Sequence, residues 1–264
     1  RLIGKGIAAL PEVQNAKKNG YLLVSRGSTT AYCLEELLGQ PIEKNRYAVG
    51  QTIKGILCAI QQEDRLKPYT FHKGEVLPVE PGTVIDKLSA GDVLLKGANA
   101  IDPFGNLGVL MASANGGTMG QFYMPMKARG LEIIYPVGLE KLIPSVEEAA
   151  RYGGTLAIGK AIGIPVGMAC VSDGRPFTEI DALEALFDVS AVHYASGGWG
   201  GAEGCVTIIV EGPDDGVTNC MEFIDGKIKG EPALPAVKGP CKTCFMTHCS
   251  FHGRDEAQLP AYLK

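Results

Sequence analysis

The sequence predicts an α/β protein built on a Rossmann-like, mainly parallel sheet. Strand-like apolar segments alternate with helix-like segments over residues 1–150, as in a parallel sheet that helices cover. Two glycines, Gly27 and Gly97, follow strand-like segments closely, and the carboxyl ends of parallel strands are where such folds bind ligands. The composition, 45% hydrophobic and 20% charged, is that of an ordinary globular protein.

Within residues 1–150, we predict a helix over 7–18, a short strand over 21–25 and a helix that ends at 38. Ser28 or Thr29 is expected to cap the second helix, and Gly39 to end it. The other predicted elements are strands at 47–59, 69–78, 92–96, 108–112 and 131–137, and a helix at 121–129.

The rest of the chain is predicted to form a second domain and a tail. Over residues 151–235, strands at 167–171, 191–195, 206–211 and 227–229 enclose helices at 179–187 and 217–224. This β-α-β-β-α-β order is typical of a small ferredoxin-like α+β domain. Gly153 and Gly154 mark a hinge before it, and residues 236–264 form a Cys-rich tail.

Composition excludes several classes of protein. The apolar runs are too short to cross a bilayer, and residues 1–10 lack the apolar core of a secretory signal. The formal net charge of −4 argues against nucleic-acid binding. Eight cysteines in 264 residues are too few for a disulfide scaffold. We therefore expect a cytoplasmic protein with neither a membrane nor a nucleic acid as partner.

The first candidate site is the segment Arg26-Gly27-Ser28-Thr29, between a strand and a helix. Backbone N–H groups at a helix start lack intrahelical partners, and the helix dipole makes that end partly positive. Hydroxyl groups and a guanidinium add further donors. The segment suits a phosphate or carboxylate, although a Ser/Thr cap after glycine also occurs without any ligand.

The second candidate site is the segment 96–102, KGANAID. Lys96, Gly97, Asn99 and Asp102 follow a central strand, at the edge where open α/β sheets bind ligands. The alternative is a turn in which Asn99 and Asp102 cap their own backbone. Lys141 is expected on the solvated surface, from which it can still join an anion pocket.

A third glycine-rich segment, containing Gly116, Gly117 and Thr118, is expected to wall the same crevice. With parallel strands, all three small-residue loops meet at one sheet edge. This convergence is the main argument for a small anionic metabolite as the partner.

The sequences SRGST (25–29) and KGANAID (96–102) resemble those of A-type ribose-5-phosphate isomerases, which carry GTGST and DGADEID. That family shares a superfamily with glucosamine-6-phosphate deaminases, CoA transferases and initiation factor 2B-like proteins. The stretch 97–101, followed by Gly105-Asn106 and Gly117-Thr118, also loosely resembles the initiation factor 2B-like and methylthioribose-phosphate isomerase branch. The resemblance covers roughly residues 5–145. It implies a phosphate loop at Gly27, Ser28 and Thr29, and a homo-oligomer.

The chain departs from that family at its acid–base residues. Lys96, Asn99 and Ala100 replace two Asp and one Glu of the family motif, and only Asp102 is kept. Aldose–ketose isomerisation needs a positioned base, so we do not expect ribose 5-phosphate to be isomerised. Lys96 is expected to stabilise an oxyanion and Asn99 to orient a hydroxyl or carbonyl, with Asp102 beside them.

The third candidate site is a cysteine motif, Cys241-x2-Cys244-x4-Cys249-x2-His252. Thiolate and imidazole ligands at this spacing suit tetrahedral Zn²⁺, with His248 as an alternative to His252. An iron–sulfur cluster held by the three cysteines, with Cys220 or a histidine as the fourth ligand, is the other possibility. Free or disulfide-bonded thiols are the non-metal alternative. No organic cofactor is indicated.

The glycine-rich loop 196–204 contains Trp199 and Glu203. It is too long for a tight hairpin turn, and it is expected to cover a ligand, contact another subunit or serve as a mobile tip. Glu203 is the glycine-flanked candidate for the nucleophile of a CoA transferase.

We therefore expect an enzyme of altered isomerase-like chemistry that acts on a phosphorylated or carboxylated metabolite. The alternatives are a non-catalytic metabolite sensor or regulatory subunit, and a metal-linked accessory protein.

Overall fold

The protein is described by a computed structural model that covers residues 1–77 and 79–263. Its seven α-helices in these residues are α1 (Leu2–Ala9), α2 (Pro11–Asn19), α3 (Ser28–Leu38), α4 (Gly117–Ala128), α5 (Val146–Ala150), α6 (Glu179–Leu186) and α7 (Asp214–Phe223). The first seven strands are β1 (Tyr21–Val24), β2 (Gly50–Ile53), β3 (Ile56–Ala59), β4 (Tyr69–His72), β5 (Glu75–Leu77), β6 (Val93–Leu95) and β7 (Ala100–Ile101). The others are β8 (Leu107–Met111), β9 (Glu132–Pro136), β10 (Gly167–Val171), β11 (Arg175–Phe177), β12 (Ser190–Ser196) and β13 (Val206–Glu211).

A six-stranded mixed, mostly parallel sheet forms the centre of the α/β fold, in the order β11-β9-β6-β1-β4-β5. Strands β11, β9, β6 and β1 pair in parallel, and β4 and β5 add antiparallel strands at one side. The parallel part places the carboxyl ends of β1, β6 and β9 at one edge.

Apolar residues cover both faces of this sheet. On one face, Val24 and Leu95 pack in a core with residues of α1, α2, α3 and α6. On the other, Leu23 and Leu94 pack with Phe122 of α4. Because neighbouring residues of a strand point to opposite faces, residues 25 and 96 continue the α4 face.

The predicted helix over 7–18 is two helices that meet at Pro11. Leu10 is extended, with φ −64° and ψ 128°. Proline disfavours the helical conformation in the residue before it and has no N–H of its own. The chain therefore ends α1 at Ala9 and begins α2 at Pro11.

The predicted strands 47–59 and 69–78 are each a tight hairpin. Strands β2 and β3 pair around Lys54-Gly55, and β4 and β5 pair around Lys73-Gly74. Both residues of each turn have positive φ, between 47° and 85°, which favours short hairpins. Pro78, the predicted end of the second strand, lies outside the described residues.

Residues 167–177 add strands to structure formed by the first half of the chain. β10 pairs antiparallel with β8 in a small sheet completed by β7, and β11 pairs with β9 in the main sheet. Gly153 and Gly154 therefore precede two strands, β10 and β11, that pair with strands of the first half of the chain. These two strands do not form a sheet of their own.

The remaining sheet is the two-stranded hairpin of β12 and β13. The predicted strand 227–229 is instead the end of a π-helical turn over Ile224–Ile228. Trp199 in the intervening loop is 89% exposed, and Glu203 lies in the same exposed loop. Among residues 1–77 and 79–263, no helix has the length and apolar character needed to span a bilayer.

Candidate functional site

The first candidate segment begins α3 at the carboxyl end of β1. Gly27 is the N-cap and Ser28 the first helical residue, with no side-chain cap. The predicted cap by Ser28 or Thr29 is therefore wrong. Thr30 Oγ1 donates to the Gly27 carbonyl instead (3.1 Å). Gly39 ends the helix in the left-handed conformation (φ 68°), as predicted.

Two groups of the predicted phosphate loop already have partners. The Gly27 N–H donates to the Tyr47 carbonyl (2.9 Å). Arg26 donates from Nε to the Leu66 carbonyl (2.9 Å) and from Nη2 to Glu80 (3.2 Å). The exposed Ser28 and the half-buried Thr29 lie in the first turn of α3, where backbone N–H groups lack intrahelical partners.

Lys96 lies at the carboxyl end of β6, beside the strand that leads into α3. Its Nζ donates to the Gly97 carbonyl (2.8 Å), and no carboxylate of the described chain lies within 4.0 Å of it. Burial of the ammonium group, and then the positive charge of Lys141, lower the pKa of Lys96 to about 8. A desolvated cation without a counterion is costly, so this position suits an anionic ligand.

Lys141 brings a second ammonium group to the same turn. It follows β9, and its Nζ donates to the Ala98 carbonyl (3.2 Å) and lies 3.8 Å from Glu140. The space beside Gly97 is open, because a Cβ there would meet no atom within 4 Å. The two lysines and this space form the sheet-edge site.

Ser25 contributes a buried hydroxyl beside Lys96. Val24 and Leu95 are the last register pair of β1 and β6, and the Ser25 N–H extends the pairing by donating to the Leu95 carbonyl (2.9 Å). Ser25 is 3% exposed, and its Oγ has no hydrogen-bond partner among residues 1–77 and 79–263. An unpaired buried hydroxyl is unusual and adds a donor to the sheet-edge site.

Asn99 and Asp102 make structural contacts. Asn99 Oδ1 accepts from the Leu110 N–H (3.0 Å). Asp102 is 2% exposed and accepts from the backbone of Phe104, Asn106 and Val146 (each 3.0 Å) and from the Asn106 side chain (2.9 Å). Both side chains therefore help to fix the backbone that follows Lys96. Their predicted catalytic roles stay predictions.

The third glycine segment lies at the start of α4. Gly116 is the N-cap, and Asn115 Oδ1 accepts the Gly117 N–H (3.1 Å). Gly117 and Thr118 line an open concavity of about 490 Å³ with Ser113, Asn115, Gly120 and Gln121. Met119 of α4 packs in one apolar cluster with Ala98. Residues 26–29 and 96–102 do not line this concavity, so a crevice shared by all three segments stays a prediction.

Glu179 is a carboxyl group near Lys141 that sequence reasoning missed. It begins α6 after β11, and its Oε2 accepts the Leu139 N–H (2.9 Å). Burial, and to a smaller extent the charge of Glu140, raise the pKa of Glu179, against the effect of Lys141. No local motif marks it, because only the pairing of β11 with β9 brings it to this edge.

The cysteine motif folds against the hairpin of β2 and β3. Cys241, Cys244, Cys249 and His252 line one pocket, and Cys58 of β3 lines it with them. The pKa of Cys58 is raised to about 11 by burial and then by the neighbouring thiolates of Cys249, Cys241 and Cys244. Sequence reasoning missed Cys58, which is remote in the chain.

The two alternative ligands named from sequence do not line this pocket. Cys220 is buried in the main core with α1 and α3, and His248 is exposed outside the pocket lining. Within the described part of the chain, no three His, Cys, Asp or Glu side chains are already grouped as a single-ion site.

Comparison with known proteins finds no relative. No family model matches the chain, and no curated protein or solved structure is significantly similar to it. The resemblance to sugar-phosphate isomerases therefore stays a prediction from two short motifs.

Proposed function

We propose that the chain binds a small phosphorylated or carboxylated metabolite at the sheet-edge site. The observation that carries this proposal is Lys96, a half-buried residue whose ammonium group lies near Lys141 and, among residues 1–77 and 79–263, hydrogen-bonds to a backbone carbonyl and to no carboxylate. Ser25 Oγ is the neutral donor beside them. An anion there would neutralise the cations and accept hydrogen bonds in a partly dehydrated place.

The proposal extends to chemistry on the bound metabolite, as an enzyme of altered isomerase-like type. Proton transfer next to a carbonyl needs a base and a group that stabilises the developing oxyanion. Glu179, a half-buried carboxyl group that accepts the Leu139 N–H and whose pKa is raised by burial, is the proposed base. Lys96 and Lys141 are the proposed groups that stabilise the oxyanion. In this proposal, Glu179 takes the role of the carboxylates that the motif 96–102 lacks.

The finer architecture belongs to the same proposal. We propose that the main sheet, with β11 at one edge, forms a Rossmann-like unit and that residues 236–264 form a metal-binding tail. The separate ferredoxin-like domain predicted over 151–235 is not kept, because β10 and β11 pair with strands of the first half and residues 224–228 form a helical turn. The homo-oligomer expected from the resemblance also remains proposed, and sedimentation analysis of the purified protein tests it.

Thermal-shift and calorimetric titration with inorganic phosphate, sugar phosphates and small carboxylates test the binding proposal. A ligand that binds the native state raises Tm by an amount that grows with its affinity. We expect Lys96→Met and Lys141→Met each to weaken anion binding about 10- to 100-fold, because each variant loses one charge-assisted hydrogen bond to the ligand. The matched control is Lys87→Met, at an exposed lysine after the turn 81–87. Equal binding by all three variants would refute the proposal.

Proton exchange tests the catalytic part separately. With a metabolite that binds, NMR in D₂O follows loss of a C–H signal next to its carbonyl. Glu179→Gln is expected to keep binding and lose exchange. If the wild type binds but exchanges no proton, the chain is a sensor or regulatory subunit, as the isomerase motif's lost carboxylates would allow.

A further inference from the structure

A second site lies away from the sheet edge, where three chain segments meet. The hairpin of β2 and β3 provides one wall, the segment around Gly163 a second, and residues 237–263 the third. Backbone hydrogen bonds join them: Ile164 N–H donates to Leu57 (3.1 Å), and Ser250 N–H donates to Gly163 (3.3 Å). Gln51 accepts the Val237 N–H (3.3 Å) and donates to the Val237 carbonyl.

The pocket between these segments is lined by thiols. The half-buried cysteines Cys58, Cys241, Cys244 and Cys249 surround a cavity of about 20 Å³, enough for a single small ion or water. Its apolar wall includes Ile56, Ile164 and Phe251. Four thiols on one small, partly dry cavity are the ligand set that soft or borderline metals prefer.

Local backbone geometry folds the tail around this pocket. The His252 N–H donates to the Cys249 carbonyl (3.0 Å). The Cys244 N–H donates to the Cys241 carbonyl (3.3 Å), and the Gly253 N–H donates to the same oxygen (2.9 Å). These tight turns hold the three cysteines of the tail against the pocket that Cys58 also lines.

We propose that Cys58, Cys241, Cys244 and Cys249 are the four ligands of one Zn²⁺ ion, which is the size of group that the cavity holds. Cys58 is the fourth ligand in place of His252, which is exposed at the rim of the pocket. The tail buries only a small apolar cluster of Ile56, Phe251, Leu259 and Leu263. A metal that joins β3 to the tail would therefore stabilise this part of the fold.

Metal analysis of the whole chain tests this assignment. Protein is produced in zinc-supplemented and in iron-supplemented medium, purified without oxygen, and assayed for zinc, iron and acid-labile sulfide per chain. We expect one Zn²⁺ per chain in the wild type, and iron with acid-labile sulfide in its place would overturn the assignment. Cys58→Ser is expected to lose most of the zinc, while His252→Ala and the control Cys205→Ser, an exposed thiol outside the pocket, keep it.

A second measurement avoids variants that fail to fold. In metal-depleted wild type, titration with Co²⁺ gives a thiolate charge-transfer band that grows with the number of thiolate ligands. Four thiolates and no histidine are expected, together with slower proteolysis of residues 236–263 when metal is bound. Three thiolates plus histidine, retention of metal by Cys58→Ser, or a wild type without metal in either medium would each overturn the proposal.

Discussion

Lys96 and Lys141 donate to consecutive backbone carbonyls, those of Gly97 and Ala98, at 2.8 and 3.2 Å. The two lysines come from the ends of different parallel strands, β6 and β9. Each carbonyl offers only a partial charge, and Glu140 lies 3.8 Å from Lys141, so the uncompensated positive charge is mainly that of Lys96. This is why we propose an anion, rather than a neutral molecule, as the ligand of this edge.

Anion binding should depend on the protonation of Lys96. Its pKa is lowered to about 8, and phosphate esters are already dianionic above about pH 7. We expect affinity for a sugar phosphate to fall as pH rises from 7 to 9.5, by up to about tenfold per unit above pH 8. Calorimetry across this range measures it, and Lys96→Arg should flatten the curve because arginine stays charged. An unchanged wild-type affinity up to pH 9.5 would contradict the role of Lys96.

Without ligand, the same group has the opposite effect on stability. A lysine whose folded pKa lies below its usual 10.5 binds fewer protons folded than unfolded between about pH 8 and 10.5. Its contribution to the free energy of unfolding should therefore rise over that window. Chemical denaturation gives the free energy of unfolding of the wild type and of Lys96→Met at about pH 8 and at about pH 10.5. The difference between the two proteins should be smaller at the higher pH.

Gly97→Ala separates ligand binding from folding. The added methyl group would meet no atom within 4 Å, and φ at Gly97 is outside the left-handed region. We expect Tm without ligand to stay the same or rise slightly, because alanine restricts the unfolded chain. Anion affinity should fall, since the methyl group enters the open space beside the lysines. A variant with full affinity would place the ligand elsewhere.

Six strands, three of them in the main sheet, follow from local sequence pattern. β1, β6, β8 and β9 lie within one or two residues of the predicted bounds, and β10 and β13 match them. Each is a compact apolar run, which is a strong signal. The hairpins β2–β3 and β4–β5 were harder to predict from sequence. Their turns are Lys54-Gly55 and Lys73-Gly74, and Lys-Gly is a weaker turn signal than Asn-Gly.

The candidate sites were predictable only in part, because their missing members are distant in sequence. The motif 96–102 marks Lys96, but only the pairing of β6 with β9 shows that Lys141 and Glu179 lie near this edge. The cysteine motif marks three of the four proposed ligands, but Cys58 joins them in the pocket only through the docking of the tail. Asn99 and Asp102 were predicted to act on a ligand, but their side chains accept hydrogen bonds from the backbone N–H groups of Leu110 and Val146.

Asp102→Asn should therefore destabilise the fold. The carboxylate accepts four hydrogen bonds, and these outweigh burial to lower its pKa. An amide would direct an NH₂ group at one of those donors, at a cost of about 1–3 kcal/mol. Chemical denaturation at pH 7 measures it. Because the folded pKa is lowered, the stabilisation should be full above about pH 4 and lost on further acidification. Normal stability with lost turnover would instead support the predicted catalytic role.

Gly163→Ala should loosen the cysteine pocket without touching a cysteine. Gly163 has φ 98°, and a Cβ there would lie 2.5 Å from the Leu57 carbonyl oxygen. The backbone of Gly163 also binds Ser250 of the tail through both its N–H and its carbonyl. Strain and clash should cost about 1–3 kcal/mol, by pushing β3 away from the tail.

The matched control is Gly159→Ala, where an added methyl group meets nothing within 4 Å and φ is not left-handed. Limited proteolysis should cleave residues 236–263 faster in Gly163→Ala than in the control or the wild type, and the metal content should fall with it. Cleavage of the tail at the same rate in all three proteins would show that the contact of Gly163 with Leu57 does not hold the cysteines of the tail against Cys58.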